Sequence, residues 1–447
     1  MASAPVGSRS PAPWRLGVGL RRRSAVAEGR RAAGAGRRPR PAATVGRVLA
    51  LAAALACAAG ACAPRDADDA VVLWHSYTGA ERDALDALAR AFNADHDVKL
   101  RVVAVPYDAF ADKITNAIPN GNGPDLVIFA HDRIGDWVAG GLIEPIEYFV
   151  DDELADRFAY DALAAMAYRG SLYGLPLAVK SIALFYRTDL VAEPPRTTDE
   201  LLAVGRALTD RRAGRFGLVY ENADLYGHAA WLHGFGGEVF DADGRLAIAT
   251  PAAAAALAFA RTLGGPDGIV PPGTTNTMVA TLFNEGKAAM AMSGPWFLAD
   301  IRAGVPWAVT SLPIVSATGR PAAPFLGAEG VLMSSRARDK RAAFEVMAYL
   351  TSDAAAIARA RSARQVVPNR AAYDEPDIGG DPVLAAFRAQ LAHSVPMPAT
   401  PDMRVVWTPY KTGLQRVIEQ GADPDEVLRD VEREVRGYLA GARRGDR

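Results

Sequence analysis

Residues 123–135, GPDLVIFAHDRIG, combine an apolar run with an acid and a base that follow it directly. The run LVIFA after Gly-Pro-Asp is typical of a buried strand. Asp132 and Arg133 then follow where the strand must end, at the edge of the sheet where α/β folds place ligands. Two interpretations are open here. The pair is either an ordinary helix cap, with Asp132 accepting backbone N–H bonds and Arg133 solvated, or part of a binding site.

The segments before this stretch alternate between strands and helices. Residues 71–76, VVLWHS, and 98–105, VKLRVVAV, have the composition of strands. Thr78 and Glu81 form the pattern of a capping box at the start of a helix over 78–96. This alternation predicts an α/β fold whose sheet is mostly parallel.

The rest of the chain continues the pattern and makes the protein too long for one core. Strands are predicted at 175–187, 215–220 and 288–293, a hairpin turn at Asp243–Gly244, and helices at 250–263, 339–352 and 423–441. With 447 residues, half of them hydrophobic, we expect two α/β lobes with separate cores. A cleft between two lobes is a preferred place for a small ligand.

The N-terminus has the pattern of an export signal. Residues 1–47 contain eleven Arg and one Glu, and the apolar segment 48–61, VLALAAALACAAGA, is too short to span a membrane. Residues 1–62 are therefore predicted to be a leader and 63–69 a spacer. A translation start near Val45 is the alternative that leaves a leader of ordinary length.

Ala-Gly-Ala-Cys at 59–62 is similar to a bacterial lipobox, so Cys62 is predicted to carry a lipid anchor. The alternative is a freely secreted protein that is cut nearby. Cys57, the only other cysteine, lies in the apolar segment, so no disulfide is expected in the exported domain.

Composition and motifs argue against several classes of function. Beyond the leader, basic residues are interspersed with acids, which argues against a nucleic-acid surface. The chain has no Walker A loop, G-x-S-x-G elbow, H-E-x-x-H or dinucleotide fingerprint. His228 and His233 are five apart and do not share a helical face, so neither a metal site nor a cofactor is predicted.

Aromatic residues near turns point to carbohydrate chemistry. Sugars present flat C–H faces flanked by hydroxyls, so their sites pair aromatic rings with charged hydrogen-bonding groups. Asp132 and Arg133 lie beside Phe129 in this way. Three further aromatic residues follow or interrupt apolar runs, each of which can also be core: Tyr226, Trp296 and Trp407.

Five segments together resemble the maltose/maltodextrin-binding proteins of ABC importers, which belong to extracellular solute-binding protein family 1. They occur in the order and approximate spacing of that family: GPDLVIFAHDRIGDWVAGGLIEPI (123–146), LYGLPLAVKSIALFYRTDL (172–190), AMSGPWFLADI (291–301), PFLGAEGVLMS (324–334) and VPMPATPDMRVVWTPYK (395–411). The resemblance extends from Val71 to Tyr438.

The resemblance implies a two-lobed, type II periplasmic-binding-protein fold. Each lobe would be a mostly parallel sheet flanked by helices, with the ligand cleft between the lobes. The chain would cross between the lobes near 179–183, 325–330 and 375–382. The N-terminal lobe would comprise 70–179 and 330–376, and the C-terminal lobe 183–325 and 382–442.

The resemblance also implies the ligand-binding residues. Asp132 and Arg133 occupy the family's pair that bonds sugar hydroxyls, and Phe129 stands at a tryptophan position. Lys180 replaces a glutamate near the hinge, and a lysine can only donate; we hypothesise that it pairs with Asp224 across the closed cleft. The second lobe contributes two stacking tryptophans, an acid, its neighbouring tyrosine and a lysine at an arginine position: Trp296, Trp407, Asp224, Tyr226 and Lys411.

The expected function is that of an exported, lipid-anchored monomer. It would bind a maltose-like oligosaccharide or a related disaccharide and deliver it to a permease pair powered by an ATPase, without covalent chemistry. One alternative is a secreted carbohydrate-active enzyme that uses Asp132 and Asp224. Another is a receptor for a different polyol or a sugar phosphate, which Lys180, Arg133 and Lys411 would favour.

Overall fold

The structure is a computed structural model that describes residues 70–159 and 162–445. These residues belong to the unit Arg65–Arg447. The predicted leader, the spacer and Cys62 lie outside the described residues. No helix within the described ranges has both the length and the apolar character needed to cross a membrane.

The described residues form fourteen strands and sixteen α-helices. The strands are β1 (Val71–His75), β2 (Leu100–Ala104), β3 (Leu126–Ala130), β4 (Ala167–Tyr168), β5 (Ser171–Leu172), β6 (Gly174–Lys180), β7 (Ala183–Arg187), β8 (Phe216–Val219), β9 (Ala288–Ser293), β10 (Trp307–Thr310), β11 (Ile314–Val315), β12 (Arg320–Pro321), β13 (Phe325–Met333) and β14 (Val395–Pro396). The helices are α1 (Gly79–Asp95), α2 (Tyr107–Ala117), α3 (Ile134–Ala139), α4 (Asp152–Asp156), α5 (Ala162–Ala165), α6 (Thr198–Leu208), α7 (Leu225–Gly234), α8 (Pro251–Gly264), α9 (Asn276–Asn284), α10 (Lys340–Leu350), α11 (Asp353–Ala363), α12 (Pro376–Gly379), α13 (Pro382–Leu391), α14 (Pro401–Arg404), α15 (Trp407–Gln420) and α16 (Pro424–Gly445).

Two sheets form the centres of the two lobes. The first has six strands, in the order β14-β13-β3-β1-β2 with β6 also paired to β13. The second has four strands, in the order β10-β7-β9-β8. In the first sheet β1 is parallel to β2 and β3, whereas β13 is antiparallel to β3 and β6. In the second sheet β8 and β9 are parallel, whereas β7 is antiparallel to both of its neighbours.

Both sheets are therefore mixed. Three of the five strand pairings in the first sheet are parallel, as predicted, whereas two of the three in the second sheet are antiparallel. β7 begins three residues after β6 ends, so it enters the second sheet directly from the first. The long strand β13 of the first sheet is antiparallel to β3 and β6 and parallel to β14.

The predicted crossings between the lobes stay predictions, and strand membership bears on two of them. Residues 181–182 join β6 of the first sheet to β7 of the second, and α13 packs against β10 and β7 of the second sheet after the predicted crossing at 375–382. The boundaries of the lobes in sequence stay a prediction.

Local sequence signals place several elements as expected. The Thr250 hydroxyl accepts a bond from the Ala253 N–H at 3.2 Å and begins α8, which ends at Gly264. Gly244 has a φ of 74°, which glycine adopts without strain, at the predicted hairpin turn. Asp125 of the Gly-Pro-Asp turn accepts the Val72 N–H at 2.8 Å and so ties the start of β3 to β1.

His228 is a fully buried histidine in the core of the second lobe. Within the described part of the chain, neither of its ring nitrogens has a hydrogen-bond partner. Its ring lies 5.8 Å from that of Tyr410 on α15. Burial lowers the pKa of His228 from 6.5 to about 3, and His233 adds to the shift.

Acid is therefore expected to destabilise the fold through His228. The pKa of His228 is lower in the folded than in the unfolded protein. The contribution of the neutral His228 to stability is therefore fully present above about pH 6.5 and is lost as the pH falls toward 3. At pH 5 the loss is about 2 kcal/mol. Urea unfolding at pH 7.5 and pH 5.0 measures this loss. The free energy of unfolding should fall less between the two pH values in His228→Leu than in the wild type. An equal pH dependence in the two proteins would contradict this assignment.

Candidate ligand-binding site

The Asp132–Arg133 pair lies at the carboxyl end of β3, in a 3-10 turn, His131–Arg133, that precedes α3. Arg133 Nε is 3.7 Å from Asp132 Oδ2, and the two side chains are 33% and 14% exposed. Among the described residues, neither the turn nor α3 receives a side-chain cap bond, so Asp132 is not a helix cap. Burial raises the pKa of Asp132, although Arg133 and His131 oppose the shift.

His131 fixes this turn against β13 and against the residue that follows β14. The Ala328 N–H of β13 donates to His131 Nδ1 at 3.0 Å. Nε2 therefore carries the hydrogen, which it donates to the Met397 carbonyl at 3.0 Å. The strand end thus presents Asp132 and Arg133 from a turn that is bonded on two sides.

Lys180 lies at the end of β6, between two carboxylates of the first lobe. Its Nζ is 3.0 Å from Glu329 Oε2 and 3.3 Å from Glu81 Oε1. Lys180 of β6 is paired with Gly327 of β13. Glu329 is two residues further along β13, so it lies diagonally opposite Lys180 on the same face of the sheet. Lys180 therefore pairs with these two carboxylates and not, as hypothesised, with Asp224. Burial alone would lower the pKa of Lys180, but Glu329 and Glu81 outweigh it and raise the pKa.

Glu81 also corrects the predicted capping box. Thr78 makes no side-chain cap bond to α1 within the described residues, and Glu81 faces Lys180 instead. The Gln365 side-chain N–H donates to Glu81 at 3.0 Å, and the Gln365 side-chain oxygen accepts from Arg359 Nε at 3.1 Å. Arg359 is buried, which lowers its pKa to about 10. Two cations and two carboxylates thus balance one another behind the Asp132 turn.

Glu81 and Glu329 are site residues that the sequence analysis missed. Glu81 matched the capping-box pattern of a helix start, so the sequence did not indicate a role in the site. Glu329 is a lone carboxylate in the apolar strand FLGAEGVLM, and a buried charge of this kind requires a partner. A charged residue in an otherwise apolar strand was therefore the signal that could have identified Glu329.

Three of the predicted aromatic residues form one wall on the second lobe. Tyr226 and Trp296 have ring centroids 6.1 Å apart. Phe325, which is buried, lies 6.3 Å from both Tyr226 and Trp407 and joins the two. All three outer rings are only half-buried, so the wall keeps apolar surface available.

Gly294 explains why Ser-Gly-Pro-Trp has a glycine. A Cβ atom at this position would lie 2.1 Å from the Trp296 ring, which is far below any normal contact. The ring can fold back over residue 294 only because that residue has no side chain. The motif therefore sets the orientation of Trp296 toward Tyr226.

Asp224 and Lys411 lie beside the aromatic wall together with Glu221. Asp224 Oδ1 accepts the Tyr226 N–H at 2.8 Å and begins α7, so one of its oxygens serves as the helix cap. Burial, followed by the charge of Asp224, raises the pKa of Glu221, and Lys411 opposes the shift. Glu221 also accepts from the Asn276 amide at 2.8 Å.

The two walls face each other closely enough to interact. Tyr226 of the second lobe interacts electrostatically with Tyr107, Lys180 and Asp132 of the first. The lobes also touch at Gly79, where a Cβ would lie 2.9 Å from that of Ala299. Phe129 differs from the other predicted residues, because it is only 3% exposed and packs in the core.

This arrangement combines carboxylates, cations and half-exposed aromatic rings on two opposed surfaces. Such a set recognises hydroxyl groups and the apolar faces of sugar rings. Within the described ranges, no group of three His, Cys, Asp or Glu side chains is placed to hold a metal ion.

Several known proteins are similar to this chain in sequence and in fold. The family described as "Bacterial extracellular solute-binding protein" matches residues 87–386. The chain is 29% identical to the maltotriose-binding protein of Pyrococcus abyssi, over 83% of each chain. It is 28% identical to the galactooligosaccharide-binding protein of Bacillus subtilis, over 88% of this chain and 96% of that protein. The solved structure of the Thermus thermophilus maltotriose binding protein bound with maltotriose is 29% identical, with a TM-score of 0.76 over 83% of this chain and 100% of that one.

A two-lobed α/β fold with a polar and aromatic cleft defines a solute-binding protein of the periplasmic type. The chain belongs to the family of bacterial extracellular solute-binding proteins. The predicted resemblance to the maltose/maltodextrin-binding proteins and the predicted type II fold are confirmed.

Proposed function

We propose that the protein binds a neutral, maltodextrin-like oligosaccharide in the cleft and delivers it to the permease pair of an ATP-driven importer. The observation that carries this proposal is the pair of opposed walls, with Asp132 and Arg133 on one side and the half-buried aromatic rings on the other. The proposed ligand-binding residues are Asp132, Arg133, Lys180, Asp224, Tyr226, Trp296, Trp407 and Lys411. The remaining predicted residue, Phe129, is 3% exposed and is proposed to support the site from behind.

Charge pairing favours a neutral ligand over a sugar phosphate. Lys180 already has two carboxylate partners, and Arg133 lies near both Asp132 and Asp136. Lys411 interacts with Glu221. A phosphate would have to displace these carboxylates or lie beside them, and like charges at such distances repel.

Within this class of ligands, the relatives differ in the oligosaccharide for which they are named. One relative is named for maltotriose and another for galactooligosaccharides. Lys180 offers only donor hydrogens to a ligand, and its two carboxylate partners hold it in place. We propose that it selects for an acceptor oxygen on the sugar, which differs from the preference of a glutamate at this position.

Transport would follow from closure of the lobes on the ligand. A sugar stabilises the closed state only through contacts that it makes better there than in the open state. A ligand between Asp132 on one wall and Trp407 on the other meets this requirement. The relatives are named as binding proteins, and one oxygen of Asp224 is used as a helix cap, so we propose binding without hydrolysis. Sustained release of shorter sugars from labelled oligosaccharides would overturn this part.

We also propose that the protein is exported as a monomer and held at the outer face of the membrane by a lipid on Cys62. Residues 48–61 and the lipobox-like sequence that ends at Cys62 support this proposal. Metabolic labelling with palmitate tests it. The label should enter the wild-type protein and be absent from Cys62→Ser, whereas an unlabelled wild type would favour free secretion.

A thermal-shift screen tests the proposed ligand class. The panel contains maltose, maltotriose, longer maltodextrins, galactooligosaccharides, trehalose, sucrose and sugar phosphates. A ligand at 100 times its Kd adds about 2.7 kcal/mol to stability and raises the melting temperature. We expect a neutral oligosaccharide to give the largest shift. The proposal fails if no sugar stabilises the protein or if a sugar phosphate does so most strongly.

A further inference from the structure

Tyr107 is an exposed aromatic residue on the first lobe that the sequence analysis did not select. It begins α2 directly after Pro106, and 63% of its surface is exposed. Its ring stacks on Phe129, with centroids 5.4 Å apart and planes inclined by 18°. Phe129 in turn stacks on the buried Phe110 at 4.8 Å. Of the three stacked rings, only that of Tyr107 is exposed.

This stack changes which ring is available to a ligand. Phe129 is 3% exposed, with Tyr107 on one face, Phe110 stacked at 4.8 Å, and Trp137 at 5.5 Å. A sugar ring needs an open aromatic face of its own size. Of the stacked rings, Tyr107 has that face, and its support by Phe129 holds it in a defined orientation.

Tyr107 also lies among the polar groups of the cleft. Its hydroxyl interacts electrostatically with Asp132, Arg133, Glu329 and Lys180 of the first lobe. Tyr226 of the opposite wall interacts with it as well. The exposed ring therefore lies near charged groups of the first lobe and near Tyr226 of the second, and its hydroxyl can both donate to and accept from a sugar hydroxyl.

We propose that Tyr107, and not Phe129, is the aromatic platform of the first lobe, and that it stacks against a pyranose ring of a neutral oligosaccharide. This inference rests on the proposed function. Phe129 then acts as a positioning residue that supports the Tyr107 ring from behind. The ligand would lie between Tyr107 on one side and the Tyr226, Trp296 and Trp407 wall on the other.

The test compares tyrosine variants in the binding of the sugar that gives the largest thermal shift. Tyr107→Ala should weaken binding by roughly 10- to 100-fold, because the stacked face is lost. Tyr107→Phe and Tyr107→Trp should recover most of the affinity, since both retain a flat ring. Tyr148→Ala is the matched control, because Tyr148 is also highly exposed and packs against a phenylalanine at 4.4 Å. It should bind within twofold of the wild type.

The possible results separate this inference from the proposed function. If Tyr107→Ala binds like the wild type while Trp407→Ala does not, the platform assignment is overturned and the proposed function stands. If Tyr107→Ala lowers the melting temperature of the unliganded protein and Tyr107→Phe fails to restore binding, the residue is structural and the inference is also overturned. If the wild type binds no sugar in the panel, the proposed function itself fails.

Discussion

Trp407→Ala is expected to weaken binding of the preferred sugar by roughly 30- to 1,000-fold, or about 2–4 kcal/mol. Trp407 begins α15, is half-buried and packs edge-on against Phe325 at 6.3 Å. Under the proposed function, its removal takes away an aromatic face that the ligand covers. Isothermal titration calorimetry with the best sugar of the screen measures the effect.

Trp307→Ala is the control for this substitution. Trp307 is also half-buried, lies in β10 of the same lobe and packs against Phe185 at 5.8 Å, away from the aromatic wall. It should lose stability without losing more than about threefold in affinity, as expected for a residue outside a binding hot spot. Equal losses of affinity in the two variants would show that binding responds to general loosening of the lobe and would contradict the role of Trp407.

Lys180→Gln is expected to lower the free energy of unfolding by about 3–5 kcal/mol at pH 7. The substitution leaves Glu81 and Glu329 close together with no cation between them, although both are largely buried. Two largely buried carboxylates repel each other most when both are charged, so their penalty is largest at neutral pH. Urea unfolding should therefore show the deficit relative to the wild type shrinking as the pH falls.

Two further variants test the cause of this destabilisation. Lys180→Gln combined with Glu329→Gln should recover part of the lost stability, because only one buried carboxylate then remains. Lys340→Gln removes a lysine that pairs with Glu144 at the surface, where its side chain is 41% exposed, and should cost less than about 1 kcal/mol. The buried network is contradicted if Lys180→Gln costs no more than Lys340→Gln.

The sequence predicted the helices and strands more completely than it predicted the pairing of the strands. Helical periodicity placed α1, which buries one face, and apolar runs placed β1 and β3, which are buried on both faces. The reversed directions of β7 and β13 were not predicted, since they depend on where the chain crosses between the lobes. Strand composition carries no information about direction.

Charge partners and exposed faces were the other features beyond reach of the sequence. Glu81 matched a capping pattern, and only its approach to Lys180 from another element revealed its use. Phe129 was selected because it lies at the end of its strand and at a tryptophan position of the family, whereas Tyr107, which stacks on it, lies in a different segment. Both results depend on contacts between residues that are distant along the chain.

The crystal structure of the protein with the sugar that stabilises it most tests the central claim most directly. We predict one oligosaccharide in the cleft, with a sugar ring stacked on Trp407 or Trp296 of one lobe and hydroxyl groups bonded to Asp132 or Arg133 of the other. A sugar bound outside the cleft, or one that contacts only a single lobe, would contradict the proposal.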